Sequence, residues 1–483
     1  MSSRQKDYLH NEEKSAKIVA GQGRDGTDER TRLQKPVKLQ PSWEENNLPE
    51  DELNFKNLTM DDASLQVHTP PDKYNLVYIT FLIHGIGTLM PWNMFITAMG
   101  YFTDHKLARD YIGFSFPHLT NFMQILTFCS QVPNVLFNWL NIFVHIGGDL
   151  TTRIVWSISI NVVVFIITIV LAMVDSSEWP HTFFWTTMVT VVVLNMANGI
   201  YQNTIYGMAA KLPPKYTGAV ILGNNISGTF VTIVSILSDA MTGNKRMAAI
   251  YYFITALFVL LVGFDTYFAL PLNRFYRHYE LKAKKNEELR KREAERANDH
   301  TPYLHIVKKA LPQLYNVWFI FFVTLGTFPA IQANVKRVDT NFFIPDKWYS
   351  PITCFLTFNV FAMIGSMMPT WFIWPSAKYL WIPVTLRFLY IPFYLLCNYH
   401  LEGLNRALPV LVTNDWVYWI VAITMALTSG YFSSVAMMYV PGTVEDRYAS
   451  TAGMFGGAAL ITGIFSGILL TFLWPWFITH VGY

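Results

Sequence analysis

The sequence predicts an all-α, polytopic membrane protein, and three observations carry that class. Hydrophobic residues make up 52% of the 483-residue chain and charged residues only 14%, where soluble domains carry roughly 25% charge. Apolar runs recur along most of the chain, each about 20 residues long and able to cross a hydrocarbon core of about 30 Å. The charges are segregated into a few stretches rather than spread, so the net charge of +3 says little about partners. No basic face interleaved with aromatics is visible, which argues against a nucleic-acid partner.

Residues 1–73 are polar, mixed in charge and rich in Glu, Lys, Asn and Gln. They read as a disordered cytoplasmic tail, and no apolar run before Asn75 resembles a cleavable signal peptide. Candidate spans then follow at roughly 75–99, 118–144, 153–174, 183–210, 217–241 and 247–270, and at roughly 313–335, 350–374, 380–400, 415–440 and 452–478. That makes about eleven helices in a 6+5 arrangement. The expected division is a first bundle over 74–271, a charged cytoplasmic loop over 272–312, and a second bundle over 313–483. The loop holds Lys282-Ala-Lys284-Lys285 and Arg290-Lys291-Arg292, and its Glu/Lys spacing suggests an exposed, solvated helix. Two bundles about a central path are transporter-like organisation. No internal sequence repeat is visible. Basic residues of the tail, the charged loop, Lys211, Lys215 and Lys378 share one side, so the N-terminus is expected inside and the C-terminus outside. Lys336 and Arg337 count against that assignment.

The polar residues inside the spans point to the function. Asn195, Asn198, Gly199, Gln202 and Tyr206 recur at spacings of three and four, so they share a helix face. After the turn Lys211-Leu-Pro-Pro-Lys215, the next span holds Gly223-Asn224-Asn225-Ile226-Ser227-Gly228. Amides are costly in hydrocarbon and should face a bundle interior or a wet cavity. The first span carries Gly85-Ile-Gly87 and Pro91-Trp92-Asn93-Met94-Phe95-Ile96. Proline frees a carbonyl one turn earlier and glycine permits close helix approach. An interfacial tryptophan is the plain alternative for Trp92.

These motifs resemble the equilibrative nucleoside transporter family. Pro91-Trp92-Asn93 with Tyr101-Phe102 is similar to its first helix. Asn195 to Gly228 is similar to its fourth and fifth. Phe328-Pro329 and Cys354-Phe-Leu-Thr-Phe-Asn359 are similar to its seventh and eighth. Arg387-Phe388, Pro392 and Cys397-Asn398 follow in order, then Gly430-Tyr431 and Ala452-Gly453. The resemblance covers about residues 75–478. It implies a major-facilitator-like fold, alternating access, and nucleosides or sometimes nucleobases as substrates moving down their gradient. It also implies a base pocket lined by Trp92 and Ile96, with Gln202 hydrogen-bonding the base. That agrees with the residues themselves: Gln202 offers an uncharged donor and acceptor, and tryptophan offers a stacking face. The family's eighth helix follows its asparagine with an aspartate and then an arginine. Here Asn359 is followed by Ala362 and Ser366 at those positions. Losing both avoids an unpaired buried charge and implies altered reading of the ribose. A glycine of the family's fourth helix is replaced by Asn198.

The expected cavity is therefore lined by Trp92, Ile96, Asn198, Gln202, Asn225 and Asn359. Pro91, Asn93, Gly223, Gly228 and Arg387 take structural or gating roles. Asp239 and Asp265 read as helix-end groups, and His84 as a satisfied buried histidine. Cys129, Cys354 and Cys397 read as small apolar fillers, without disulfide or zinc spacing. No metal or nucleotide cofactor is implied, and no catalytic ordering of residues appears. A monomer in the plasma membrane is the family default. The rival readings are an organic-cation carrier of the same fold, needing a cavity-facing acid, and a transport-inactive scaffold or sensor.

Overall fold

The computed structural model describes residues 70–98, 101–114, 116, 122–144, 148–241, 245–297, 302–400 and 406–481. The expected N-terminal tail lies outside them, apart from residues 70–73.

The described residues are almost wholly helical. The first bundle comprises α1 (Leu76–Thr97), α2 (Phe122–Phe143), α3 (Leu150–Met173), α4 (Pro180–Ala209), α5 (Pro214–Met241) and α6 (Lys245–Ala269). A polar connecting helix, Arg274–Ala297, leads to α7 (Tyr303–Thr327), α8 (Thr357–Met367, entered through Asp346–Leu356), α9 (Trp381–Leu395), α10 (Asp415–Tyr439) and α11 (Ala449–Thr471). Nine of these segments are long and apolar enough to cross a membrane. Of the other two, α9 is short, and α2 carries buried Ser130, Gln131, Asn134, Asn138 and Asn141. Eleven crossings remain compatible with this pattern. Helix α7 begins ten residues before the span expected at 313, because Pro312 is accommodated inside the helix rather than at its start.

Asp72 starts the first bundle. Its carboxylate accepts from the Val77 and Tyr78 amides at 3.2 Å, capping α1, and from the Tyr216 hydroxyl of α5 at 3.0 Å. Helices α1 and α5 then cross at backbone contact. A Cβ built on Gly223 would lie 2.2 Å from the Leu82 carbonyl oxygen, and one on Gly85 would lie 2.3 Å from that of Val220. In the second bundle, α8 and α10 meet the same way: a Cβ on Gly430 would stand 1.9 Å from the Ala362 oxygen. Without a hydrophobic drive between helices in lipid, such close packing is a main source of association.

The two bundles touch chiefly through α4 and α2 against α11, and through α5 against α8 and α10. The α4–α11 contact joins the end of α4 to the start of α11, beside the α4–α5 and α10–α11 turns; this is called the closed end below. At the opposite end, cations are absorbed into the fold. Lys106 Nζ donates to the Val174 carbonyl at 2.5 Å, and Arg406 donates to the carbonyls of Leu395, Cys397, Tyr399, Leu408 and Pro409. The three cysteines are free.

Adding a methyl group at the tightest crossing is expected to act through packing alone. Gly430→Ala should lower stability by about 1–3 kcal/mol, read as a drop in Tm of the purified protein. Gly442→Ala, where a Cβ would meet nothing within 4 Å, should leave Tm unchanged.

Candidate functional site

The polar face expected on α4 is buried as a unit: Asn195, Asn198 and Gln202 are each 1% exposed or less. Asparagine and glycine are poor helix formers, so this stretch depends on its neighbours. Asn198 Nδ2 donates to the Thr88 carbonyl of α1 at 2.9 Å. The Thr88 hydroxyl donates to Asn224 Oδ1 of α5 at 2.7 Å, and Asn224 Nδ2 donates to the Tyr206 hydroxyl of α4 at 2.8 Å. This closed chain, α4 to α1 to α5 and back to α4, locks three helices together.

Gln202 sits between its two ends, one turn from Asn198 and one turn from Tyr206. It takes no part in the chain. Both its amide atoms are buried without any hydrogen-bond partner, and the Oδ1 atoms of Asn195 and Asn198 are likewise unpartnered. An unpaired buried amide costs about 1–3 kcal/mol. Three amides in a row along this face thus carry an unpartnered atom, as Gln131, Asn134 and Asn138 do on α2, but among these six only Gln202 has both atoms unpartnered.

On α1, Trp92 and Ile96 are half-buried. Trp92 lies one turn beyond Thr88, about 6 Å along the axis. Since α1 and α4 run antiparallel, Trp92 is displaced from the Thr88–Asn198 contact toward the opposite end and Gln202 toward the closed end. Pro91 is buried inside α1, and Asn93 Nδ2 donates to the Ser227 hydroxyl of α5 at 3.2 Å.

Asn225 and Asn359 occupy a different place, the seam between bundles. Asn225 Nδ2 donates to the Ser366 hydroxyl of α8 at 2.5 Å, and Ser366 in turn donates to the Ala362 carbonyl at 2.7 Å. Asn359 Nδ2 donates to the Thr232 hydroxyl at 3.3 Å. Gly228 makes room for it, since a Cβ there would stand 2.3 Å from Asn359 Oδ1. The seam is thus stitched by neutral hydrogen bonds, with Ala362 and Ser366 both buried in it.

Arg387, 2% exposed, ties α9 to α7 and α10. Its guanidinium donates to the Met425 carbonyl, the Thr428 hydroxyl and the Thr324 hydroxyl, and it lies 5.5 Å over the Tyr390 ring. Hydroxyls and a carbonyl thus hold it between three helices of the second bundle. His84 is fully buried, with Nδ1 2.7 Å from the Tyr201 hydroxyl and Nε2 unpartnered. Asp265 is exposed; the Asp239 side chain lies outside the described residues. Thr88, Asn224 and Ser366 were not singled out as pocket residues from sequence. Helical spacing puts Thr88 on the Trp92 face, but nothing in it names the partner on α5.

A family model of nucleoside transporters matches residues 188–476. Human equilibrative nucleoside transporter 1 is 31% identical over 453 residues, covering 84% of this chain and 98% of the relative. The chain belongs to the nucleoside transporter family. Human equilibrative nucleoside transporter 2 is 30% identical over the same shares of both chains. An Arabidopsis thaliana equilibrative nucleotide transporter is 25% identical, covering 84% and 87%. Among solved structures, a proton:xylose symporter of the major facilitator superfamily aligns with a TM-score of 0.57 at 11% identity, covering 85% of this chain and 92% of that one. That likeness speaks to the fold of this family member alone.

The orphaned amides make one thermodynamic prediction. Gln202→Leu removes an unsatisfied buried group and keeps most of the volume, so Tm without substrate should stay level or rise. Substrate-induced stabilisation should vanish in the same variant. A clear fall in Tm without substrate would mean that Gln202 supports the fold instead.

Proposed function

We propose that this protein carries nucleosides, and nucleobases, down their concentration gradient by alternating access. The heterocycle is held at Gln202. The observation that carries this reading is that Gln202 is fully buried with both amide atoms unpartnered. A carboxamide presents a donor and an acceptor side by side, which matches the hydrogen-bonding edge of a neutral base. Asn198 Oδ1 adds an acceptor one turn away, while Trp92 and Ile96, displaced along α1 toward the opposite end, offer apolar area on the approach to Gln202 rather than at it. The names of the relatives support the same solute class.

The seam residues Asn225 and Asn359 act at the contact between bundles, where their neutral bonds break and reform as the bundles rock. Pro91, Asn93, Gly223 and Gly228 fix the α1–α5 pair and its contact with α8. Arg387 keeps the second bundle rigid during the movement. The bundles then correspond to residues 74–271 and 313–483, with the charged segment between them. The closed end faces the cytoplasm, which puts the N-terminus inside and the C-terminus outside. A monomer in the plasma membrane is the working assembly. The organic-cation reading is less well supported, since Asp265 points away from the bundle interior.

The test is uptake of labelled adenosine, uridine and adenine into cells lacking their own nucleoside carriers. Saturable adenosine uptake is expected, reduced at least about tenfold by Gln202→Leu at equal surface expression. Adenine uptake without adenosine uptake would narrow the substrate to nucleobases. No saturable flux of any of the three, with the protein at the surface, would overturn the reading.

A further inference from the structure

At the closed end a cavity of about 680 Å³ lies outside the contact between the bundles. Arg153 of α3, Lys211 in the α4–α5 turn, and Ser450 and Met454 of α11 line it, so it touches both bundles. A thin layer separates it from the polar face of α4. In that layer Asn203 Nδ2 donates to the Met454 carbonyl at 2.7 Å. A Cβ on Gly453 would lie 2.6 Å from the Tyr206 oxygen, and one on Gly207 would lie 2.7 Å from Met454 Cγ. Met454 borders both this layer and the cavity.

The outer wall is the connecting helix Arg274–Ala297, through Tyr279, Glu280, Ala283 and Glu287. Its two attachments differ in kind. Toward its N-terminus, Phe275 is buried, with its ring 5.2 Å from that of Tyr216 on α5 and 4.9 Å from that of Tyr279. Tyr216 itself packs on Phe81 of α1. That attachment belongs to the first bundle. Two turns on, Lys282 Nζ meets Asp446 Oδ2 at 3.2 Å, in the turn between α10 and α11. That turn belongs to the second bundle and is braced there by Lys309 of α7, which pairs with Glu445 at 2.9 Å. The Lys282 and Asp446 side chains are 53% and 80% exposed. Buried aromatic surface holds far more firmly than an exposed ion pair.

We propose that the connecting helix is the lid of an exit vestibule, hinged on the first bundle and latched to the second by Lys282 and Asp446. When this end opens, the helix travels with α5 and lets go of the α10–α11 turn. The latch is weak by design of its setting: water screens it, so it biases the lid without locking it. The proposal rests on the alternating-access reading above, and its test does not use transport.

The experiment is the rate at which a bulky maleimide labels Ser450→Cys in the full-length protein in permeabilised membranes, with the rate of the parent chain subtracted. Thr451→Cys, on the same wall, serves if Ser450→Cys does not fold. Asp446→Lys and Lys282→Glu should each raise the rate by about two- to fivefold. The swapped pair, Lys282→Glu with Asp446→Lys, should return it to the starting value. Unchanged rates in both single variants, or no recovery in the swap, would overturn the lid. Loss of nucleoside flux with this labelling pattern intact would overturn the substrate reading and leave the lid standing.

Discussion

An amide removed from water must find a partner, and that requirement organises this molecule. Helices here carry asparagine and glutamine at depths where lipid offers no hydrogen bonds. Most of these side chains are spoken for. Arg153 donates to Asn141, Asn141 to Asn203, and Asn203 to Asn138 and to the α11 backbone. That network runs from α3 through α2 and α4 into the second bundle. One position further back along α4, Gln202 has no partner at all. Adjacent residues on a helix point about 100° apart, so Asn203 meets hydrogen-bonding groups of α2 and α11 and Gln202 faces elsewhere. Asn161 of α3 is also buried with both amide atoms unpartnered; Gln202 differs in lying on the polar face of α4, between Asn198 and Tyr206.

Close packing repeats without the sequence repeating. In the first bundle, α1 crosses α5 at Gly85 and Gly223, and α2 meets α4 where Gly199 lies against the Asn134 carbonyl. In the second, α7 crosses α11 with Gly463 and Gly467 against the carbonyls of Trp318 and Phe322, and α8 crosses α10 at Gly365 and Gly430. Adding six to each helix number of the first set gives the second. Glycine therefore marks equivalent crossings in two bundles whose sequences show no resemblance to each other. Packing constrains only where a Cβ is forbidden, and a handful of such positions leaves the rest of the sequence free to drift.

The class of the fold and the face of α4 were legible because both are periodic. Apolar runs count helices, and spacings of three and four name the residues on one side of a helix. Periodicity does not say which helix lies opposite. Asn225 is expected in the cavity as an amide inside a span, and Asn359 through the family resemblance. Their partners, Ser366 and Thr232, come from helices more than a hundred residues away and are not implied by local sequence. The charged segment shows the same limit. Its Glu/Lys spacing gave an exposed helix, while its role as a wall depends on Phe275 finding Tyr216. The start of α7 differs from the expected 313 for a local reason: proline is tolerated poorly inside a helix, yet α7 carries Pro312 within its first three turns.

The strength of the contacts between bundles bears on how such a carrier works. Opening the closed end breaks Asn203 from the Met454 carbonyl, and any wider rocking strains Trp139 against Thr462, a bond of 2.9 Å between α2 and α11. Each neutral hydrogen bond contributes about 1 kcal/mol net. The exposed Lys282–Asp446 pair adds no more than that. A buried ion pair in the same layer would cost several kcal/mol to separate and would hold one state until something neutralised it. Carriage down a gradient has no external energy source to break such a lock, so the two conformations must lie close in free energy. Neutral amides, hydroxyls and glycine contacts across the seam keep that difference small. Among the described residues, the charged groups are placed instead where they do not span the seam at depth: Arg387 within the second bundle, and Lys282 at the wetted rim.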